Sequence, residues 1–594
     1  MLAPAPKRRF TLVLIKPSHY DDDGYVIQWM RSAIPSNTLA ALYGLALDCA
    51  NRHVLGENVE IDIVALDETN TRIQSKKIAQ LIGSGVGLIG LVGVQSNQFP
   101  RAMDLARQFR ALGLQVAIGG FHVSGTLAML PGVSPELREA MDLGISLFAG
   151  EAEGRLEQVL LDAHAHALKP LYNFMDDLPN IAAMPMPILP ATRVKRTGGR
   201  MTSFDAGRGC PFQCSFCTII NVQGRVSRRR TADDVEQIVR CNLAQGIDRF
   251  FITDDNFARN KDWEAIFDRL IQLREKEHLD IKFTIQVDTL CHKIPHFIEK
   301  SARAGVTRVF IGMESINPES LIAAKKRQNK ITEYRKMLLE WKRWRVTTCA
   351  GYILGFPNDT PESLIRDIEI IKRELPIDLL EFFCLTPLPG SEDHQKLFQA
   401  GIYLDPDLNK YDLEHVCTTH LTMTKADWEG VYRKAWETYY SPEHIMTVMR
   451  RGTATRISAG KLMFMLLWFY GCITIEKIHP LEGGYLRRKY RTDRRPTMPL
   501  ENPLMFYPSY FLELAIKHAR ALRMIVRYGL FRHKLKQDPH AREYTDLALT
   551  PVAEGELDAL EIFTVSGAAK SAVEKARKQA ARVAGGTAAL HSEL

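Results

Sequence analysis

"GRGCPFQCSFC", residues 207–217, sets Cys210, Cys214 and Cys217 within eight positions. The chain has ten cysteines in 594 residues, and the other seven stand singly. Three thiols at gaps of three and then two are a ligand spacing. A structural zinc ion takes four ligands, commonly as two Cys-x2-Cys pairs, and the sequence holds no second pair. Three thiolates on one loop suit a four-iron, four-sulfur (4Fe-4S) cluster with one iron left free of protein ligands. Zinc completed by a distant histidine is the alternative.

The segment just before the loop, "MTSFDAG" (201–207), reads as a strand. Five more strand candidates follow it: 249–255, 281–287, 308–314, 347–355 and 378–386. Helical patterns separate them, such as "TADDVEQIVRCNLAQG" (231–246) with Thr231 as N-cap. Six βα units in residues 201–400 predict a partial (β/α)6 parallel barrel, whose functional groups gather at the carboxyl ends of the strands. Arg228, Arg229 and Arg230 precede a helix N-terminus, where the dipole does not favour cations; they are expected to face solvent, with an anionic group as the alternative.

An earlier alternating series occupies residues 1–165. Strands are expected at 10–16, 59–68, 86–94, 114–120 and 145–150, and helices at 35–52, 72–85, 99–113 and 151–165. This predicts a Rossmann-like doubly wound parallel sheet, which binds ligands beyond the carboxyl ends of its strands. Residues 166–200, rich in Pro and Met, read as a linker. Residues 401–564 read as a mostly helical domain, and 565–594 as a disordered tail. Fold class is therefore α/β with a helical C-terminal region.

"CPFQCSFC" resembles the signature loop of the radical S-adenosylmethionine (SAM) enzymes, including the aromatic Phe216 before the third cysteine. The resemblance implies that SAM chelates the open iron and is cleaved to a 5′-deoxyadenosyl radical that takes a substrate hydrogen. "ITDDNF" (252–257) resembles the second-strand segment that contacts SAM, with Asp254, Asp255 and Asn256 as candidates. "GMES" (312–315) resembles the fourth-strand element, with Glu314 as a SAM contact. "GYILGFPNDTPES" (351–363), with Gly355, resembles the fifth-strand segment near adenine, and "TPLPGS" (386–391) the end of the sixth. Strand-end capping is the bland reading of Asp254 and Asp255.

A parallel-sheet domain ahead of such a barrel resembles the cobalamin-binding subclass. "GVQSNQFPRAMDLA" (93–106), "GGFH" (119–122) and "GEAEG" (150–154) carry this likeness. They imply cobalamin contacts at Gly119, Gly120, His122, Gly150 and Glu151; alternatively these glycines only make tight turns. No Asp-x-His-x-x-Gly occurs, and His19 in "PSHYDDDG" has the wrong spacing, so no histidine is expected on the cobalt. The subclass implies methylation of an unactivated carbon of a hydrophobic substrate. The runner-up is oxidative cyclisation or rearrangement, resembling the anaerobic magnesium-protoporphyrin monomethyl ester cyclase. A cobalamin- or cluster-binding sensor is the reading from another class.

The formal net charge is +8, but residues 451–550 hold 18 Lys/Arg against 8 Asp/Glu, leaving the rest near neutral. "YLRRKYRTDRRP" (485–496) is a basic run, and 509–536 is a basic amphipathic helix near an uncharged stretch from Leu462 to Ile475. That stretch is shorter than the roughly 20 residues a bilayer needs. The pattern fits a peripheral membrane contact, a lid over a lipid-like or anionic substrate, or a helical cap with a solvated basic face. No strand-rich appendage suggests nucleic acid. No signal peptide is read at the N-terminus, and the scattered cysteines read as reduced thiols, so a cytoplasmic protein is expected, with membrane association through the basic region. Its expected partners are a small-molecule substrate and an electron donor such as flavodoxin or ferredoxin.

Overall fold

The computed structural model describes residues 8–83, 86–199, 201–552 and 554–591. The first unit contains β1 (Arg8–Lys16), β2 (Gln28–Ser32), β3 (Val59–Asp67), β4 (Val86–Leu91), β5 (Gln115–Gly119), β6 (Ser146–Ala149) and β7 (Leu171–Asn173). All but β2 form one parallel sheet in the order β3-β1-β4-β5-β6-β7. The pleat sends alternate side chains to opposite faces. Phe10, Leu12 and Leu14 of β1 join one apolar core under helices Asn37–Asn51 and Leu156–His164, while Val13 and Ile15 join another under helix Phe99–Ala111. Strand order reverses between β1 and β4, the point where such sheets open a ligand crevice.

The stretch expected as linker 166–200 is partly sheet, because β7 lies within it. The remainder straps the first helix. Ile188 N donates to the Ala40 carbonyl at 3.0 Å. The Met186 carbonyl comes so near Gly44 that a Cβ there would stand 2.0 Å from it.

The second unit holds β8 (Met201–Phe204), β9 (Gly207–Arg208), β10 (Arg228–Arg229), β11 (Arg249–Ile252), β12 (Lys282–Val287), β13 (Val306–Glu314), β14 (Thr347–Leu354) and β15 (Leu379–Cys384). Strands β8-β11-β12-β13-β14-β15 make a six-stranded all-parallel sheet, the partial barrel the sequence predicts. The two-residue strands β9 and β10 form a separate antiparallel pair.

Helices Lys425–Tyr439, Pro442–Ala454, Ala459–Gly471 and Pro503–Gln537 dominate the C-terminal region. β16 (Gly484–Arg488) pairs antiparallel with β2, so the C-terminal region and the first unit share a ribbon. The basic run is therefore half-buried and largely engaged with carboxylates of the protein itself. Arg487 meets Asp21 at 2.8 Å, Lys489 meets Asp23 at 3.3 Å, and Arg495 meets Asp407 at 2.7 Å. The expected disordered tail is instead helix Gly567–His591, which buries Ala569 and Val573 against the barrel helices. The three arginines meet protein groups rather than solvent, and for two of them the alternative of an anionic group holds. Arg228 pairs with Glu151, Arg229 with Asp262, and Arg230 is buried, donating to the carbonyls of Asp205 and Met184.

Candidate active site

The cysteine loop leaves β9 through Gly209, at φ +88°, where a Cβ would lie 2.6 Å from the Val226 carbonyl. Backbone bonds then pin it. Cys210 N donates to Gly224 O at 3.2 Å, and Ser215 N to Ala324 O at 3.1 Å. Gln328 Nε2 lies 3.5 Å from Cys214 Sγ, and the Phe216 ring meets Phe356 at 6.5 Å. Cys214 is buried, while Cys210 and Cys217 are half-buried. Burial pushes the Cys210 thiol up and the Cys217 thiol up to about 12, with Asp255 and Cys214 adding to both. Iron would reverse this, since a bound metal deprotonates its thiols outright. Among the described residues no three His, Cys, Asp or Glu side chains converge tightly enough for a single metal ion. Three pinned thiols spread over a loop fit a multi-iron cluster, whose sulfur ligands sit on different irons.

Around the loop stand the strand-end residues. Glu314 ends β13 at φ +64°, where the register with β14 shifts. Its Oε1 takes a 2.5 Å hydrogen bond from Lys326 Nζ. Burial disfavours the Lys326 ammonium, but Glu314 and the thiols outweigh it and hold it charged, above the ordinary lysine range. Lys326 also lies 5.7 Å from the Phe216 ring. Gly312 makes room for the pair, since a Cβ there would come 2.7 Å from Glu314 Oε1. No strand pattern marks Lys326, which lies in the irregular stretch after helix Pro318–Ala323 and was missed in the sequence.

Asp254, Asp255 and Asn256 diverge. Asp254 Oδ1 accepts from Ala206 N and Gly207 N, both at 2.7 Å, and Oδ2 from Asn260 at 3.0 Å. It clamps the end of β8 to β11, and burial pushes it up to about 7. Asn256 is taken up by Asp288, donating to its carboxylate at 2.9 Å and accepting from its backbone N–H at 3.2 Å. Asp255 alone remains open, beside Cys210 and Cys217; its crowded surroundings push it up to about 7. Gly355, at φ +110°, packs beneath Trp428, whose ring a Cβ would strike at 1.9 Å. Its glycine identity is thus explained by a protein contact.

A cleft with about 1210 Å³ of empty space, counted out to its open mouth, opens at the β1/β4 crevice. Its floor is apolar: Leu12, Leu14, Leu88, Gly90, Leu45 and Leu156. Gly119, Gly120, Gly150 and Glu151 rim it, and Arg208 and Gln223 from the cysteine-loop side close over it. The glycines are needed for the backbone itself. Gly120 has φ +149° and a Cβ there would meet Val94 N at 2.2 Å; Gly150 has φ +100° and faces Phe174 C at 3.0 Å. His122 is not at the cleft. It is buried against Phe99 with ring centroids 4.4 Å apart, its Nδ1 is 3.1 Å from Ser96 Oγ, and burial pushes it down to about 3. Asn37 lines the cleft, and its buried Oδ1 has no partner. Ser36 caps the helix, accepting from Leu39 N, which leaves the Asn37 side chain free of that duty. A broad apolar slot with a glycine rim and one orphaned polar atom fits a large flat ring cofactor such as cobalamin.

Glu151 is an ion-pair hub. It accepts from Arg208 at 2.6 Å and from Arg228 at 2.8 Å, while Arg208 also meets Glu153 at 2.6 Å and Asp205 at 3.1 Å. Both arginines flank the cysteine loop, so carboxylates at the end of β6 lock the first sheet onto the barrel mouth.

Residues 206–371 match the Radical SAM superfamily. The chain is 26% identical over 344 residues to the bacteriochlorophyllide d C-8(2)-methyltransferase of Chlorobaculum tepidum, covering 55% of this chain and 72% of that protein. It is 23% identical over 354 residues to the hopanoid C-2 methylase of Rhodopseudomonas palustris, covering 58% of this chain and 62%, under two thirds, of the relative. The radical S-adenosylmethionine methyltransferase TsrM of Kitasatospora setae, solved with cobalamin and an iron–sulfur cluster bound, superposes with a TM-score of 0.53 at 15% identity. That match covers 74% of this chain and 90% of TsrM.

Proposed function

We propose that this chain, whose residues 206–371 match the Radical SAM superfamily, is a cobalamin-dependent radical SAM enzyme that methylates an unactivated carbon of a hydrophobic small molecule. The observation that carries this reading is the juxtaposition of two sites. A pinned three-thiol loop stands at the barrel mouth, and Arg208, two residues before its first cysteine, also lines the apolar cleft of the first sheet. When bound, the iron–sulfur cluster with SAM supplies a radical able to take hydrogen from an inert C–H bond, and cobalamin supplies the methyl group.

Cys210, Cys214 and Cys217 would hold the cluster. Asp255 has a free carboxylate beside the thiols and would accept from the SAM ammonium. The charged Lys326–Glu314 pair offers donors and an acceptor to the rest of SAM. Gly119, Gly120, Gly150 and Asn37 would frame cobalamin. Glu151 holds Arg208 and Arg228 in place and so fixes the spacing between the two cofactors, which such a two-step transfer requires. A low-potential protein such as flavodoxin or ferredoxin would donate the electron.

The test is anaerobic incubation of reconstituted protein with dithionite, SAM, methylcobalamin and candidate apolar tetrapyrroles or polycyclic terpenoids. Expected are 5′-deoxyadenosine and a product heavier by one methylene unit. Deoxyadenosine without that gain would point to cyclisation or rearrangement, and no deoxyadenosine with any substrate would favour a sensor. The Cys214→Ala variant should lose the cluster's broad absorption near about 400 nm; retained absorption would overturn the ligand assignment.

A further inference from the structure

Helix Pro503–Gln537 is 35 residues long and touches the rest of the protein along one narrow stripe. Phe506, Tyr528 and Leu535 are buried on that stripe, with Tyr510, Lys517, Met524 and Phe531 half-buried beside them. The opposite face is apolar. Leu504, Phe511, Leu512, Leu522, Val526 and Leu530 share this side of the helix, and each is between 51% and 82% exposed. Pro508, Ala515 and Ala519 complete the row, which runs for about 40 Å at 1.5 Å per residue. Water-exposed apolar side chains are ordinary singly, but a continuous face of this length is a docking surface.

Charge on the same helix says what kind of partner fits. One flank of the apolar row carries Arg520, Arg523, Arg527 and Lys534, all exposed. Among the described residues none of the four has a carboxylate partner. The helix contains seven Lys/Arg and a single acid, Glu513, which is already bound to Lys517 at 2.7 Å and to Lys489 at 3.4 Å. A second copy of this chain docking face to face would bring cations against cations with nothing to neutralise them. The adjoining helix Ala459–Gly471 adds Phe464, 48% exposed, while its Leu462, Leu466 and Leu467 are in the core. That segment, extended to Glu476, has a mean hydropathy of 1.3, and 28% of it is buried inside the protein.

We propose that helix Pro503–Gln537 docks this protein on the surface of an anionic phospholipid bilayer, lying in the interface with its apolar row among the acyl chains and the arginine flank on the phosphates. Long arginine stems can lie along the apolar boundary while their heads reach the phosphates. The proposal does not rest on the methyl-transfer reading: docking needs no turnover, so the two can fail separately.

The experiment is co-sedimentation of the full chain with vesicles of phosphatidylcholine, with and without phosphatidylglycerol, at low and high salt. The protein is expected in the pellet only with the anionic vesicles, and less of it at high salt. Arg520→Gln, Arg523→Gln and Arg527→Gln should each weaken binding about fivefold. A Phe511→Ser, Leu522→Ser, Val526→Ser triple variant should abolish it while keeping the circular dichroism spectrum and melting temperature of the parent. Protein left in the supernatant with anionic vesicles at low salt would overturn the proposal, as would variants that bind like the parent. Sedimentation velocity showing a dimer that the serine variant dissolves would assign the face to a second copy instead.

Discussion

At Asp254 both carboxylate oxygens face donors, and at Asp255, one residue on, the carboxylate faces open space beside two thiols. The two lie in the turn after β11, which turns one carboxylate onto protein donors and leaves the other exposed. Asp254→Ala would leave two backbone N–H groups and Asn260 unpaired in a buried place. It should cost about 2–4 kcal/mol in urea unfolding. Asp255→Ala should change stability by no more than about 0.5 kcal/mol, as expected where no internal bond is lost, yet weaken SAM binding measured on the reconstituted protein. Equal stability losses in the two variants would contradict this division. Sequence alone marked both aspartates together with Asn256. What separated them was the position of Asn260 and Asp288, contacts that no linear pattern encodes.

Elements are joined by contacts in which a glycine or a histidine decides the fit. Gly355 directly follows β14 at positive φ, with Trp428 of helix Lys425–Tyr439 against it. Gly355→Ala adds both a backbone penalty and a clash with a large ring, so a loss of about 2–4 kcal/mol is expected in thermal or urea unfolding. His415 ties the segment between helices Glu392–Gln399 and Lys425–Tyr439 to the N-terminal "DDD" segment, with Nδ1 2.8 Å from Asp412 and Nε2 3.2 Å from Asp22. Burial alone would lower its pKa, but the two carboxylates outweigh this and push it up to about 11. A histidine raised in the folded state contributes stability that is full below its unfolded pKa, near 6.5, and is lost as pH rises towards 11. Asp22 is mostly exposed, so about 1 kcal/mol is expected after screening. The stability gap between the parent and His415→Asn should therefore shrink between pH 6 and pH 10, and a gap that grows with pH would contradict the assignment.

Across the whole molecule, Glu151, Glu153, Arg208 and Arg228 form the joint between the two sheets. All four are nearly buried, so removing one charge strands its partners. Glu151→Gln deprives Arg228 of its carboxylate and should cost about 3 kcal/mol. Hydrogen exchange should rise both at residues 150–154 and at 207–230, with the cluster absorption retained. Protection that falls on one side only would mean that the joint lies elsewhere. The basic run 485–496 shows the same long-range logic. It reads in sequence as a surface for anions, but β16 pairs with β2 and brings Asp21 and Asp23 onto it. The free cations lie further along, on helix Pro503–Gln537.

The amino-acid sequence alone determined the two alternating β/α series, the six barrel strands and the three-thiol loop. These depend on local periodicity and on ligand spacing, which are properties of neighbouring residues. It also reached the rim glycines of the cleft, because a tight βα turn leaves a local signature. Only the tertiary structure decided which polar residues remain free for ligands. His122 turned into the core behind Phe99, Glu151 was taken by two arginines, and Asn37 and Lys326 came to the site from a helix start and an irregular stretch. A polar side chain's availability depends on what stands opposite it, and in this chain the opposing residues lie from 1 to 476 positions away.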